Sequence, residues 1–364
     1  MPALEKIVIS NFRNIEFQEI SFSPNINCIC GNNGEGKTNL LDAIYYLALT
    51  KSAFSPSDKY VFRHGSDSFS MCGTFRMPTG LESKISLQVT SSEKKIKRDD
   101  KPYRRISEHI GLIPVVMVAP SDISLVSESG EDRRKFANAV LSQMDKEYLS
   151  AVQQYTRLLA QRNKLLKEPV VDDGFLDVVD MRLAAFSKPI WEKRKKFAED
   201  VSPLVNDIYS SLSKGSETVE VKYSSDLDKA PLESLLEASR EKDKFLKYTS
   251  CGVQRDDFLF NMDSFPIRKC GSQGQQKTFL VALKFAQYEL MKKEGGQAPI
   301  LLLDDVFDKL DLSRIANLIK MVASNDFGQI FITDTDRSRM KSVVDSVTSD
   351  RAYFETVGGT FNGR

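Results

Sequence analysis

Between Ile26 and Thr38 the chain reads Ile-Asn-Cys-Ile-Cys-Gly-Asn-Asn-Gly-Glu-Gly-Lys-Thr. Ile26, Cys28 and Cys30 alternate with Asn27 and Ile29 as in a strand, and Leu40, Leu41, Ile44, Tyr45, Leu47 and Ala48 then recur at helical spacing. Strand, glycine loop and helix in this order make a phosphate cradle, because Gly31, Gly34 and Gly36 let the backbone curl until successive N–H groups point at one anion. The candidate binding segment is Gly31, Asn32, Asn33, Gly34, Glu35, Gly36, Lys37 and Thr38. Lys37 supplies a mobile cation for the outer phosphates and Thr38 a Mg²⁺ ligand. The bland alternative is an ordinary glycine-rich turn, which needs neither the Lys-Thr pair nor the flanking strand and helix.

Of 364 residues, 51 are Lys or Arg and 50 are Asp or Glu, a net charge of +1. That balance excludes a broad polycationic surface, so nucleic-acid binding must use local patches or arise on assembly. The length suits two domains. Five cysteines, Cys28, Cys30, Cys72, Cys251 and Cys270, form no C-x-x-C pair. They read as small buried thiols in a reducing compartment rather than a zinc ribbon or disulfide framework. No cationic leader and no apolar run of roughly 18 residues is present, so the expectation is a cytoplasmic protein without a membrane span.

Leu4 to Ser10 and Ile15 to Phe22 read as strands ahead of the glycine loop, joined by Asn11-Phe12-Arg13-Asn14. Ser68 to Phe75, Lys84 to Val89 and Ile113 to Ala119 continue the strand pattern. The segment 93–105 carries seven basic residues and reads as a solvated hairpin tip or a phosphate contact. From Asp132 the apolar residues fall at helical spacing to about Lys167, reverse through 168–174, and resume from Phe175 to Leu212 with a kink at Pro189. This predicts an antiparallel helical arm on the order of 50 Å long. Lys188, Lys193, Arg194, Lys195 and Lys196 decorate it, more as solvated charge than as a DNA track. A strand at Thr218 to Tyr223 and a helix from Pro231 to Tyr248 follow.

Ile300 to Leu303 is an apolar strand ending in Asp304 and Asp305, the pattern for a carboxylate that meets a nucleotide-bound Mg²⁺. Asp304 is the metal candidate, and Asp305 stands where an attacking water is held. Lys37, Asp304 and Asp305 are thus the catalytic candidates, with Thr38 and Asp304 as metal ligands. Cys270-Gly271-Ser272-Gln273-Gly274-Gln275 opens a helix, and Ser272 there is either a cap or a second phosphate contact.

The phosphate loop, the Ser-Gln-Gly-Gln signature, the double-acid strand and the trailing Leu310-Asp311 stand in the order found in ABC-type ATPase heads. With a helical hairpin inserted between the halves, the chain resembles the SMC and double-strand-break-repair branch, most closely the bacterial RecF family. That resemblance spans Asn11 to Asn14, the loop, Pro120 to Val126, Gln161 to Lys167, Gly252 to Asp257, the signature and Leu303-Asp304-Asp305-Val306-Phe307. Two departures stand out: Gln254 where the family has His, and Ser121 where Glu is usual. His64 and His109 match no catalytic pattern.

The resemblance implies an α/β fold, an ABC/SMC-like head with mixed sheets from residues 1–127 and 250–364, and an inserted helical arm from 128–249. It implies ATP and Mg²⁺ as cofactors, with Ser272, Gly274 and Gln275 of a second copy completing the site in an ATP-dependent homodimer. Arg13 is a nucleotide contact or one half of a strand-end salt bridge. The implied activity is a slow ATPase that works as a switch, since Asp305 is one methylene shorter than the Glu of many relatives. The implied partners are single-stranded, linear double-stranded and gapped DNA, with RecO and RecR as co-mediators that load RecA in replication-linked repair and SOS induction. The rival readings are a transporter ATPase subunit, which needs no arm, and a small-molecule kinase, which needs an acceptor pocket.

Overall fold

A computed structural model of the chain describes residues 1–213, 217–305, 327–346 and 348–363. By compactness the chain divides into two units, one of 1–122 and 284–364 with 211–214, the other of 123–210 and 215–283. The sequence expectation assigned 250–283 to the head, whereas these residues, Ser272 included, cluster with the helical unit.

In the first unit, β1 (Ala3–Phe12), β2 (Ile15–Ser21), β4 (Ser68–Arg76), β5 (Glu82–Thr90), β6 (Lys94–Arg98) and β7 (Lys101–Pro102) form an antiparallel sheet in the order β2-β1-β4-β5-β6-β7. Its strands alternate, burying Ile7, Ile9, Met71, Ile85 and Leu87 on one face. A second sheet joins β3 (Ile26–Cys30), β8 (Val115–Val118), β12 (Ile300–Leu303), β13 (Ile330–Asp334), β14 (Arg351–Val357) and β15 (Thr360–Gly363) in the order β15-β14-β3-β13-β12-β8. All pairs in it are parallel except β14 with β15. Val115–Val118 and Ile300–Leu303 are buried throughout, as strands covered on both faces must be. Helix α1 (Lys37–Leu49) buries Leu40, Leu41, Ile44 and Leu47 in one core shared by Ile7, Ile29, Leu302 and Phe331.

The second unit holds α2 (Ser124–Ser127), α3 (Gly130–Met144), α4 (Lys146–Leu165), α5 (Asp173–Ser213) and α6 (Leu232–Leu246), and a small sheet of β9 (Val219–Ser224), β10 (Asp257–Met262) and β11 (Phe265–Pro266). The single helix expected from Asp132 to Lys167 is two. Asp145 leaves helical geometry at φ −136°, and its carboxylate accepts the Glu147 and Tyr148 N–H groups, so a cap replaces a turn of helix. Conversely, α5 runs 41 residues, about 60 Å, unbroken through Pro189 and Pro203. The carbonyls those prolines free belong to Ala185 and Glu199, two residues on the exposed side of the helix.

Within the arm, the fully buried Arg162 donates to Asp180 at 2.6 Å, Asp243 at 2.7 Å and Thr249 at 2.9 Å, tying α4, α5 and α6 together. The basic cluster on α5 is paired rather than open: Lys193 with Asp145, Lys195 with Asp228, Lys196 with Asp200, and the buried Arg194 with Asp256 at 3.0 Å. Of the cysteines, Cys28, Cys30 and Cys251 are buried as expected, but Cys270 is exposed.

Candidate nucleotide site

The loop after β3 has the curvature its glycines imply. Gly36, at φ 105°, caps α1 and brings no side chain of its own to the first-turn N–H groups. Any Cβ there would stand 2.8 Å from the Asn14 amide. Asn32, Asn33 and Gly34 are exposed at the mouth. Lys37 is buried beneath it, with Nζ donating to the Gly31 carbonyl at 2.8 Å and the Asn32 carbonyl at 3.2 Å, and standing 4.0 Å from Asp305.

Strand order brings the second half of the site to this loop. Since β13 lies between β3 and β12, the residues at the carboxyl ends of the three strands sit side by side. Thr38 Oγ1 lies 2.9 and 3.0 Å from the two Asp304 carboxylate oxygens. Thr333, at the end of β13, donates to Asp304 at 2.8 Å and accepts the Asp305 N–H at 2.9 Å. Burial pushes the Asp304 carboxyl up to about 6, opposed by the Thr333 and Thr38 hydrogen bonds and by Lys37, and reinforced by the Asp305 charge. Asp305 itself is held at φ 44°, half-buried beside Lys37. One hydroxyl and one buried carboxylate are hard oxygen donors that suit Mg²⁺, which takes few protein ligands beside nucleotide phosphates. The following Val306, Phe307, Asp308, Lys309, Leu310 and Asp311 lie outside the described residues.

Arg13 makes the strand-end salt bridge. Its Nε donates to the buried Asp42 at 2.8 Å, and its Nη2 reaches Ser52 and Ser55, so two of its nitrogens are committed away from a nucleotide. Glu35 turns its carboxylate to the Gly358 N–H instead of the loop mouth. Further along the chain, α7 (Ile267–Cys270) leads through Gly271 to Ser272, which caps α8 (Gln273–Gly295). The cap is reciprocal: Gln275 N–H donates to Ser272 Oγ at 3.2 Å, and Ser272 N–H to Gln275 Oε1 at 2.8 Å. Ser272 remains exposed, and Gly274 half-buried. His109 is structural, buried with Nε2 2.8 Å from the Leu47 carbonyl, and His64 is exposed. Gln254 is bonded to Tyr155 and to the Cys251 carbonyl.

Sequence reasoning left Thr333 and Asp42 without a role. Thr333 ends an apolar parallel strand, as Asp304 follows one, and that shared position was the available signal. Asp42 is an acid on the apolar side of α1, where only a partner such as Arg13 permits burial.

The family model for the RecF/RecN/SMC N-terminal domain matches residues 3–353. The DNA replication and repair protein RecF of Porphyromonas gingivalis is 42% identical over 358 residues, covering 98% of each chain. That of Bacteroides thetaiotaomicron is 43% identical, covering 99% of this chain and 98% of its own. Two solved structures of the recombination mediator protein RecF in the RecFOR pathway, with ATP and with ATPrS, superpose with TM-scores of 0.90 and 0.89 at 29% and 28% identity, each covering 100% of this chain and 98% of theirs. An SMC head domain from Pyrococcus furiosus shares the fold at 16% identity and TM-score 0.58, over 100% of this chain and 96% of its own. Such full-length agreement counts against a transporter subunit or kinase: the chain belongs to the RecF family of SMC-like ATPase heads.

Proposed function

We propose that the protein is an ATP-operated DNA clamp of replication-linked recombinational repair. The carrying observation is the junction of Thr38, Asp304 and Thr333 beside Lys37, which joins the phosphate loop to the double-acid strand. In this reading Gly31, Asn32, Asn33, Gly34, Gly36 and Lys37 hold the phosphates, and Thr38 and Asp304 hold Mg²⁺. Bound MgATP supplies a γ-phosphate that a second copy contacts through Ser272, Gly274 and Gln275. The open pair lacks that contact, so the difference in ATP affinity between open and closed pairs is the switch. Asp305 orients the water that resets it, slowly because its reach is short.

The exposed face of the antiparallel sheet supports the DNA part. Its register sets Glu19, Val8, Cys72, Ser86 and Lys97 in one row and Phe17, Ser10, Ser70, Gln88 and Lys95 in the next. Lys84, Lys97, Lys101, Arg104 and Arg105 make no ion pair among the described residues. Shallow grooves of about 600 Å³ flank the β6–β7 hairpin. Such a face holds a phosphate backbone without reading bases, so single-stranded, linear and gapped duplex DNA are all candidates. In this reading the clamp works beside RecO and RecR in loading RecA and in SOS induction, in the cytoplasm, and the RecFOR pathway named for two similar solved structures supports the partnership.

Sedimentation velocity with and without MgATP and a gapped duplex tests the clamp. Wild type should dimerise with ATP, Asp305→Asn should accumulate the dimer, and Lys37→Arg and Ser272→Arg should stay monomeric, with DNA carried chiefly by dimers. A wild type that binds ATP yet remains monomeric would reduce Ser272 to a helix cap and remove the switch.

A further inference from the structure

The C-terminal hairpin of β14 and β15 touches the phosphate loop at more points than sheet pairing demands. Thr356 Oγ1 donates to the Glu35 carbonyl at 3.0 Å, and the Gly359 N–H donates to the same carbonyl at 2.9 Å. The Gly358 N–H donates to the Glu35 carboxylate. Steric fit is equally close. A Cβ on Gly31 would lie 2.5 Å from Thr356 Cγ2 and 2.7 Å from its carbonyl. A Cβ on Gly359, at φ 83°, would lie 2.5 Å from the Asn14 carbonyl, and Asn14 in turn packs on Gly36 and accepts from Asn39 at 2.7 Å. The loop is therefore gripped at Gly31, Glu35 and Gly36 by residues 321 or more positions away, directly or through Asn14.

Two consequences follow from charge and geometry. The Glu35 carboxylate sits within the very loop that must receive a polyphosphate, and left to itself it would repel that anion. Held by the Gly358 N–H, it is drawn to the hairpin. The Glu35 carbonyl, fixed by two donors, sets the plane of the Glu35–Gly36 peptide, and with it the direction of the Gly36 N–H at the mouth of α1.

We infer that the Gly358–Gly359 hairpin tip and Thr356 form a brace that presets the phosphate loop for nucleotide, with Glu35 its anchor and not a nucleotide ligand. This rests on the nucleotide-site reading. Thr356 and Gly359 are positioning residues: they touch the loop and never the substrate.

Binding of a fluorescent ATP analogue with Mg²⁺ tests this on the full chain. Thr356→Val keeps the methyl that fills the Gly31 face and removes only the hydroxyl, so affinity should fall about fivefold, the worth of one hydrogen bond. Thr356→Ser restores the donor and should recover most of that loss. Gly359→Val, which drives a side chain into Asn14, should cost about tenfold or more. Adding Thr356→Val to Gly359→Val should cost little further, since both break one device. Thermal melting without nucleotide separates loop positioning from loss of fold, because Thr356→Val should melt with wild type. Equal ATP affinity in wild type and Thr356→Val, or a loss that Thr356→Ser does not recover, overturns the brace. Failure of wild type itself to bind the analogue would instead overturn the nucleotide site.

Discussion

Thr333→Val is the sharpest test of how the two halves of the site are joined. The hydroxyl is fully buried and does two things: it donates to Asp304 at 2.8 Å and accepts the Asp305 N–H at 2.9 Å. Valine preserves shape and removes both of these hydrogen bonds. A hydrogen bond to a carboxylate is worth about 1.5–3 kcal/mol and a neutral one about 1 kcal/mol. Asp304 keeps its bond from Thr38, so the loss falls at the lower end, about 2–3 kcal/mol. The only tryptophan, Trp191, lies in the other unit and does not report on this sheet. Hydrogen exchange followed on peptides from β12 and β13 does. Protection there should fall about 30- to 150-fold if these strands open with the unit. MgATP turnover should fall with it, and Thr333→Ser should restore both. Protection within about threefold of wild type, with unchanged turnover, would refute the linking role of Thr333.

Arg162→Met should destabilise the arm by about 3–5 kcal/mol, because Asp180 and Asp243 lose a buried partner, and urea unfolding followed by Trp191 fluorescence measures it. Cys270 is the exposed thiol and stands two residues before Ser272, so a maleimide should label it first, and MgATP should slow that labelling if the signature closes on a second copy. Asp305→Glu, one methylene longer, should raise ATP turnover, measured by phosphate release; no change counts against the short-reach explanation. Lys97→Ala and Lys101→Ala should each reduce the slope of log affinity for duplex DNA against log salt by about 1, with little change in sequence preference.

The parts of the site that could be read from the sequence are those where backbone conformation or burial dictates residue type. Gly36 at φ 105° caps a helix, and the alternation before it marks a strand; both are local demands that only certain residues meet. Asp304 was legible because a carboxylate at the end of a fully apolar strand has few structural reasons to be there. The arm was legible as a hairpin but not as separate helices, because the apolar stripe runs on through Asp145 while the break is decided by that side chain capturing two N–H groups. The second arm helix was legible as one element carrying Pro189, and it stays continuous through Pro203 as well, because a proline's cost depends on the surroundings of the carbonyl it frees, which is a tertiary fact.

The C-terminal hairpin was the least legible element and bears most on the loop. Gly358-Gly359 between β-forming residues signals a tight turn, yet nothing local says that its N–H groups will meet Glu35. The same holds for Arg13, whose charge could equally serve a phosphate or Asp42. Burial decides it: Asp42 is inaccessible to solvent, and an unpaired carboxylate there costs several kcal/mol. Arg13→Ala should therefore act first on the fold of α1 and the 52–55 segment that Asp42 anchors through Ser52 and the Ala53 N–H. Arg13→Ala combined with Asp42→Asn separates the roles. If the arginine serves only Asp42, the double variant recovers stability and ATP affinity together; if it also touches nucleotide, stability returns and affinity does not.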